Sequence, residues 1–288
     1  MAVAPFISCL MVTRAGRETL AASAVADWQA QTHPKRELMI VADNPIEFYP
    51  FTRDDVRISV VQAPPGATIG ALRQLSVEKS CGDAIAIWDD DDGHHARRLE
   101  EQAVGLAYGD VVLLGKVMLR CVCGYTVTSR QHGWEPTMLV HRDVLPQYED
   151  VTYGEDTAIV RALWNVRRAR FEQIVAPELY EYRFHGGNAC AVDHWQGLFA
   201  TVSTHDPWRC AAQRGLTKPE ADATLDEIKA RIGRATDTPA LARCARAVRF
   251  YTDHHPAVSG EERIELAWLL SNRQRALTRP RPLGDPHR

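Results

Sequence analysis

Long hydrophobic runs are missing from this 288-residue chain. No stretch approaches the ~20 apolar residues that span a bilayer, so no transmembrane segment is expected. The opening, MAVAPFISCLMVTRAG, lacks a basic leader before its apolar run, which reads against a signal peptide. The seven cysteines (Cys9, Cys81, Cys121, Cys123, Cys190, Cys210, Cys244) form no CxxC pair. An odd count without metal-type spacing predicts reduced, mostly buried thiols and a cytoplasmic protein. Lysine is scarce: Lys35, Lys79, Lys116, Lys218 and Lys229 leave 29 of the 34 basic residues as arginine, a bias that by itself assigns no chemistry. Net charge of one sign is also lacking. At −3 the molecule as a whole announces neither a nucleic-acid nor a membrane partner. No internal repeat is present.

What remains is ordinary globular composition, 45% hydrophobic and 25% charged, enough for a sizeable core in one large domain or one domain with an appendage. The most informative stretch is Ala84–Gly93, AIAIWDDDDG. Its uncharged apolar run reads as a buried strand of a covered sheet. Four consecutive carboxylates, Asp89 to Asp92, follow it and raise one another's pKa by repulsion. A divalent cation relieves that strain, and alternation along an extended chain aims Asp89 and Asp91 the same way. The plainer reading is an acidic surface turn.

The neighbouring elements alternate. Ile7–Thr13 is a strand, and Arg17–Gln31, with Leu20, Ala24 and Trp28 four apart, is a helix. Glu37–Ala42 and Ile58–Val61 are strands, and Ile69–Ser80 is a helix. That succession predicts an α/β layered sheet, whose ligands gather at the carboxyl ends of the strands. Asp43 and the Asp89–Asp92 run both stand at such ends. Further on, Ala96–Leu106 and Thr157–Val166 read as helices. Val111–Leu114, Met138–His141, Phe171–Val175 and Leu179–Phe184 read as strands, and Val117–Thr128 reads as a strand or hairpin. From Trp195 the pattern becomes helical, with segments at Lys218–Ile232, Pro239–Tyr251 and Gly260–Ala276. Fourteen basic against ten acidic residues from position 210 make this region positive.

In order and spacing, four motifs resemble the family 2 glycosyltransferases. They are the opening strand–helix–strand with its Gln-Thr-x-Pro helix end, GALRQLSVEKSCGDAIAIWDDDD, GEDTAIVRAL and YEYRFHGGN. The likeness covers roughly residues 5–190. It implies a Rossmann-like nucleotide-diphospho-sugar transferase fold of the glycosyltransferase A type, a mixed central sheet flanked by helices; the helical region after Trp195, which has no counterpart in the family, reads as a C-terminal helical extension. Residues 1–95 would be the nucleotide-sugar half and 96–195 the acceptor half. The extension would occupy 196–276 and a disordered tail 277–288. It further implies an inverting transfer from a nucleotide-sugar, a UDP-sugar by family frequency, to an acceptor hydroxyl on a glycan, protein, small molecule or modified nucleic acid, with Mn²⁺ or Mg²⁺. Asp43 would contact the base, Arg73 the nucleotide or its phosphates, and Asp89 and Asp91 the ribose and metal. Asp92 would assist and Asp90 would be a spacer. Asp156 would be the general base with Glu155 beside it, and His185 a further metal or diphosphate contact. Trp88, in place of an aliphatic residue, would narrow the donor pocket. Gln74 departs from the family's usual Asn.

The chemistry of the residues suits those roles. Hard cations prefer carboxylate oxygen, and an attacking hydroxyl needs a base apart from the metal. A helix N-terminus would keep Asp156 charged, with a low pKa. Glu149-Asp150 is a rival acidic pair, and Asp43 alone also suits an Asx-type turn with Asn44. An EF-hand fails on register, because with Gly93 at the sixth position Trp88 and Leu99 fall at the first and twelfth. Two other readings stand beside the transferase. One is a metal-dependent phosphohydrolase drawing on Asp89–Asp92, His94, His95, His185, His194 and His205-Asp206. The other is a binding module using the Arg243, Arg246 and Arg249 helix face.

Overall fold

A computed structural model describes residues 4–152, 154–185, 188, 192–207, 210, 229, 232–233, 235, 241 and 260–278. The chain falls into two compact units, Met1–Pro219 and Glu220–Arg288. Residues 196–219, expected to open the helical extension, fall in the first.

The first unit is built on a seven-stranded sheet. Its strands are β1 (Ile7–Thr13), β2 (Arg36–Ala42), β3 (Ile58–Gln62), β4 (Ala84–Ile87), β6 (Val111–Leu114), β9 (Trp134–His141) and β10 (Phe171–Ile174), in the order β10-β6-β9-β4-β1-β2-β3. β1 runs parallel to β2 and β4, and β2 to β3. β9 runs antiparallel to both β4 and β6, and β10 is parallel to β6. The continuous apolar runs follow from burial on both faces. On one side Ile7, Cys9, Met11, Ala84 and Ala86 pack with Trp28 and Trp88. On the other Leu10, Ile85, Ile87, Met138 and Val140 pack with Tyr148 and Ile159.

The helices follow their patterns. Helix α1 (Glu18–Gln29) buries Ala21, Ala24, Val25 and Trp28, a stripe at helical spacing. A short helix, α2 (Tyr49–Asp54), lies where the sequence showed no periodicity. Helix α3 (Ile69–Lys79) is N-capped by Thr68, whose Oγ1 accepts from the Ala71 amide at 3.1 Å. After it come α4 (Arg98–Gly105) and α5 (Glu155–Ala162). Helix α5 begins two residues before the predicted start and ends early in a π turn, Leu163–Arg167.

A second, four-stranded sheet was only half foreseen. It joins β5 (Gly93–His94), β11 (Tyr180–Phe184), β7 (Met118–Cys121) and β8 (Thr126–Thr128) in the order β5-β11-β7-β8. Val117–Thr128 is thus a hairpin. β5 is too short for any periodicity, and only its antiparallel pairing with β11, Tyr180 opposite His94, defines it. Asp89–Asp92 therefore form the crossing from the main sheet to the small one. Helix α6 (Val192–Ala200) follows β11 in this unit.

In the second unit, helix α7 (Gly260–Thr278) runs two residues past its predicted end. Arg243, Arg246, Arg249 and most of the other two expected helices lie outside the described residues. Among those described, no helix is long and apolar enough to cross a membrane.

Gly70, in the first turn of α3, is pressed against the loop before α5. A Cβ there would lie 1.9 Å from the Glu149 carbonyl oxygen, and the Gly70 amide donates to Val151 O at 3.0 Å. Gly70→Ala is expected to destabilise the fold by about 1–3 kcal/mol, as overpacking does, measured by urea unfolding. An unchanged midpoint would show that the loop yields freely.

Candidate active site

The carboxyl ends of β2 and β4 carry Asp43 and the Asp89–Asp92 run, while Arg73 lies on α3, Glu155 and Asp156 at the start of α5, and His185 just past β11. Asp43, just past β2, is exposed, and its Oδ1 accepts from the Ala15 amide at 2.7 Å. One carboxylate oxygen of Asp43 therefore holds the loop after β1. That loop carries Arg17, whose Nη2 lies 2.5 Å from Asp91 Oδ2 and 3.0 Å from Asp90 Oδ1.

Burial divides the four aspartates. Asp89 and Asp91 keep 20% and 16% of their side chains exposed, while Asp90 and Asp92 are buried. Asp90 is no mere spacer. It accepts from Thr13 Oγ1 at 2.6 Å, and burial beside Asp91 pushes its carboxyl up to about 6. Asp92 does not face the site either. It accepts from the Tyr180 hydroxyl and, at 2.9 Å, from the Arg183 amide, so it ties the crossing to β11. Burial next to Asp91 holds its carboxyl well above the usual range. For Asp91 burial acts the same way, but the His185 hydrogen bond and the Arg17 charge outweigh it and lower its pKa. His185 Nε2 stands 3.1 Å from Asp91 Oδ2, and Asn188 Nδ2 is 3.5 Å from the same oxygen.

Beneath the crossing sits a second cation. Arg98 is fully buried, donates to the Ile87 carbonyl at 3.0 Å, and lies 5.3 Å from the Trp88 ring and 4.9 Å from the Tyr180 ring. Its guanidinium contacts His94 Nδ1 at 2.6 Å, and His94 stacks on Trp88 with ring centres 3.8 Å apart. Burial and the Arg98 charge hold His94 well below its ordinary pKa, so it is a neutral packing element. Trp88 is likewise entirely buried, with Nε1 donating to Ala24 O at 3.0 Å. The expectation that Trp88 narrows a donor pocket is thereby corrected, since it lines the core.

On the other flank stands Arg73, only 4% exposed on α3. It donates to the Leu10 carbonyl at 2.9 Å and pairs with Asp89. Glu155 and Asp156, at the start of α5, are near enough for their charges to bear on it. Gly154 precedes them at φ +79, a left-handed turn that glycine adopts without strain. Asp156 does not have the low pKa expected of a helix N-terminus. Burial pushes its carboxyl well above the usual range, and Arg73 recovers only part of that. Burial also raises Glu155. Arg73 Nε, Tyr148 Oη and Asp156 Oδ1 are buried without a hydrogen-bond partner among the described residues. Glu149 and Asp150 are exposed, and Asp150 accepts from Thr68 Oγ1 at 2.5 Å beside the α3 cap. Gln74 holds the Tyr148 amide at 3.1 Å.

Arg17, Thr13, Tyr148 and Asn188 were not found from the sequence. Arg17 and Thr13 adjoin the first strand–helix turn, and the position of a turn relative to a distant carboxylate has no local signal.

A parallel β4-β1-β2-β3 half joined through the antiparallel β9 to β6 matches the fold of the glycosyltransferase A-type nucleotide-sugar transferases. Solved structures agree. TarS of S. aureus aligns at a TM-score of 0.54 with 15% identity, covering 98% of this chain and 56% of that one. The chain thus spans little more than half of TarS. TarS 1–349 in complex with UDP aligns at 0.55 and 14% identity, covering 94% of this chain and 89% of that one. TarS 1–349 in complex with UDP-GlcNAc aligns at 0.55 and 13%, covering 94% and 90%. No family model and no curated protein matches the sequence.

Removing Arg73 leaves buried carboxylates unpaired. Arg73→Leu is expected to cost about 3–5 kcal/mol at pH 7.5. Glu155 and Asp156 already stand above their unfolded pKa values and would rise further without the cation. Such groups favour the folded state at low pH and lose that contribution as pH rises, so the deficit should shrink at pH 5. Denaturant unfolding at the two pH values checks this, and an equal deficit at both would count against the charge cluster.

Proposed function

We propose that this protein transfers a sugar from a nucleotide-diphosphate donor to an acceptor hydroxyl with inversion, in a metal-dependent single displacement. The observation that carries the reading is the placement of two acidic pairs, one past β4 and one at the start of α5, about the buried Arg73. Two part-exposed carboxylates, Asp89 and Asp91, lie on one side and a second pair, Glu155 and Asp156, on the other, with Arg73 facing Asp89 and the second pair. A leaving diphosphate needs cations, and an attacking hydroxyl needs a base that is not consumed by them.

The donor set fits a hard divalent ion. Asp91 Oδ2 already draws positive charge from Arg17 and a ring nitrogen from His185, so Arg17 stands in where a cation is wanted. Asp89 and Asp91, with His185, would hold Mn²⁺ or Mg²⁺. When bound, the ion neutralises charge on the diphosphate leaving group. Asp43 is assigned to the base and Arg73 to the nucleotide or its phosphates, the Arg73 Nε being buried without a hydrogen-bond partner among the described residues. Asp156, with Glu155, is assigned as general base. Its raised pKa suits the task better than a low one, because a base works best when its pKa lies near the operating pH. A UDP-sugar is the donor of choice, in keeping with the UDP and UDP-GlcNAc of the TarS structures. The acceptor is a hydroxyl of a glycan, protein, small molecule or modified nucleic acid.

The phosphohydrolase reading has less support, because its histidines diverge. His94 packs on Trp88, His194 lies against Tyr182, and His205 lies against two cysteines.

A thermal-shift panel of UDP, GDP and their sugars, with and without Mn²⁺, tests the proposal. A nucleoside diphosphate should raise the melting temperature only with metal present, and Asp91→Asn should abolish the shift. Asp156→Asn should keep the shift while slowing hydrolysis of the donor by about 10²–10⁴-fold, the usual worth of a general base. If no nucleoside diphosphate stabilises the protein with Mn²⁺, the assignment fails.

A further inference from the structure

The fold assembles thiols that spacing alone had set aside. Cys121 ends β7 and Cys123 stands in the turn to β8, while His205 and Cys210 follow α6. One ligand atom from each of the four lies within 4.8 Å of all the others. His205 Nε2 is 3.6 Å from Cys123 Sγ and 3.6 Å from Cys210 Sγ. Around a tetrahedral ion with bonds of ~2.3 Å to sulfur and ~2.0–2.1 Å to nitrogen, sulfur and nitrogen stand about 3.6 Å apart. The two separations match edges of such a tetrahedron.

The surroundings hold these groups in place. Gly124, at φ +91, makes the tight turn between the strands, with its amide on Cys121 O at 2.8 Å, and the Cys121 amide donates to Tyr125 O at 2.8 Å. The His205 ring stacks on Tyr125 with centres 4.1 Å apart, which fixes its plane, and Phe199 packs at 5.5 Å. The His205 amide is held by Ser203 Oγ at 3.2 Å. Cys121, Cys123 and Cys210 are all free thiols, and of the described cysteines only Cys9 and Cys121 are buried, so the expectation of mostly buried thiols does not hold. Tyr125, His205 and Cys210 line a surface concavity of about 520 Å³, which gives an ion a way in.

We propose that Cys121, Cys123, His205 and Cys210 bind one structural Zn²⁺. Three soft sulfurs and one imidazole, with no carboxylate and no open position, form the closed set of a structural zinc site. On binding, the three thiols release their protons to solvent and the imidazole stays neutral, so the loaded site carries one net negative charge. The ion joins the β7–β8 turn to the segment after α6. Cys121 lies opposite Phe184 in the parallel β7–β11 register, one residue before His185. The zinc therefore braces the strand that delivers His185 to the acidic edge. It is a separate site and does not depend on the transferase reading.

Metal analysis of the full chain, purified under reducing conditions and loaded with Zn²⁺, tests this. About one tightly held zinc per chain is expected. Cys123→Ser and Cys210→Ser should each lower that content severalfold. Cys81→Ser, an exposed thiol elsewhere, should leave it unchanged, and so should Asp91→Asn. Should the cysteine variants fail to fold, the wild-type protein still decides. Co²⁺ loading should give thiolate-to-metal charge-transfer and tetrahedral d–d bands, and a strong chelator should lower the melting temperature reversibly. Substoichiometric zinc, octahedral cobalt spectra, zinc that persists in both cysteine variants, or a disulfide among these cysteines under reducing conditions would each overturn the proposal.

Discussion

The buried guanidinium of Arg73 is the interaction on which the candidate site depends. It reaches from α3 to the Leu10 carbonyl on β1 and to Asp89 at the end of β4, with Glu155 and Asp156 of α5 close behind. Three carboxyl groups from two distant segments share one desolvated cation. A buried charge of this kind contributes little net stability, because desolvation offsets its attraction. It does fix which carboxylates face which side. Glycines 70 and 154 serve the same end, the first by letting α3 touch the loop before α5, the second by turning the chain into α5.

The crossing between the two sheets explains why four identical residues differ. Asp89 and Asp91 retain contact with solvent, whereas Asp90 bonds Thr13 and Asp92 bonds Tyr180 and the Arg183 amide. Two aspartates hold the crossing in place so that the other two can present their oxygens. Arg98, with His94, Trp88 and Tyr180, makes the floor of this crossing, and its positive charge lies within the low-dielectric core under the acidic run.

The small sheet links the two metal questions. β11 pairs with β5 on one side, just past the aspartates, and with β7 on the other, at the cysteine turn. A clamp on β7 therefore acts on the strand leading to His185 and Asn188. The order of the sheet, β5-β11-β7-β8, places the cysteine cluster and the carboxylate cluster on opposite edges of β11.

The chain's own pattern determined the elements whose signals are local. Apolar runs at β1, β2, β4 and β6 and helical spacing in α1 announced an α/β sheet. The carboxyl-end rule placed Asp43 and Asp89–Asp92 just past β2 and β4, where they stand. Pattern could not show α2 or β5, because a six-residue helix and a two-residue strand are too short to show a period. Nor could it tell Asp89 and Asp91 from Asp90 and Asp92, since that difference lies in partners such as Thr13, Arg17 and Tyr180, far along the chain. For Asp156, the helix N-terminus argued for a low pKa and burial produced a raised one, because desolvation depends on everything packed around the group. The cysteines are the plainest case. Cys121 and Cys123 are separated from His205 and Cys210 by more than eighty residues, and only the pairing of β7 with β11 and the return of the chain after α6 bring them within 4.8 Å of one another.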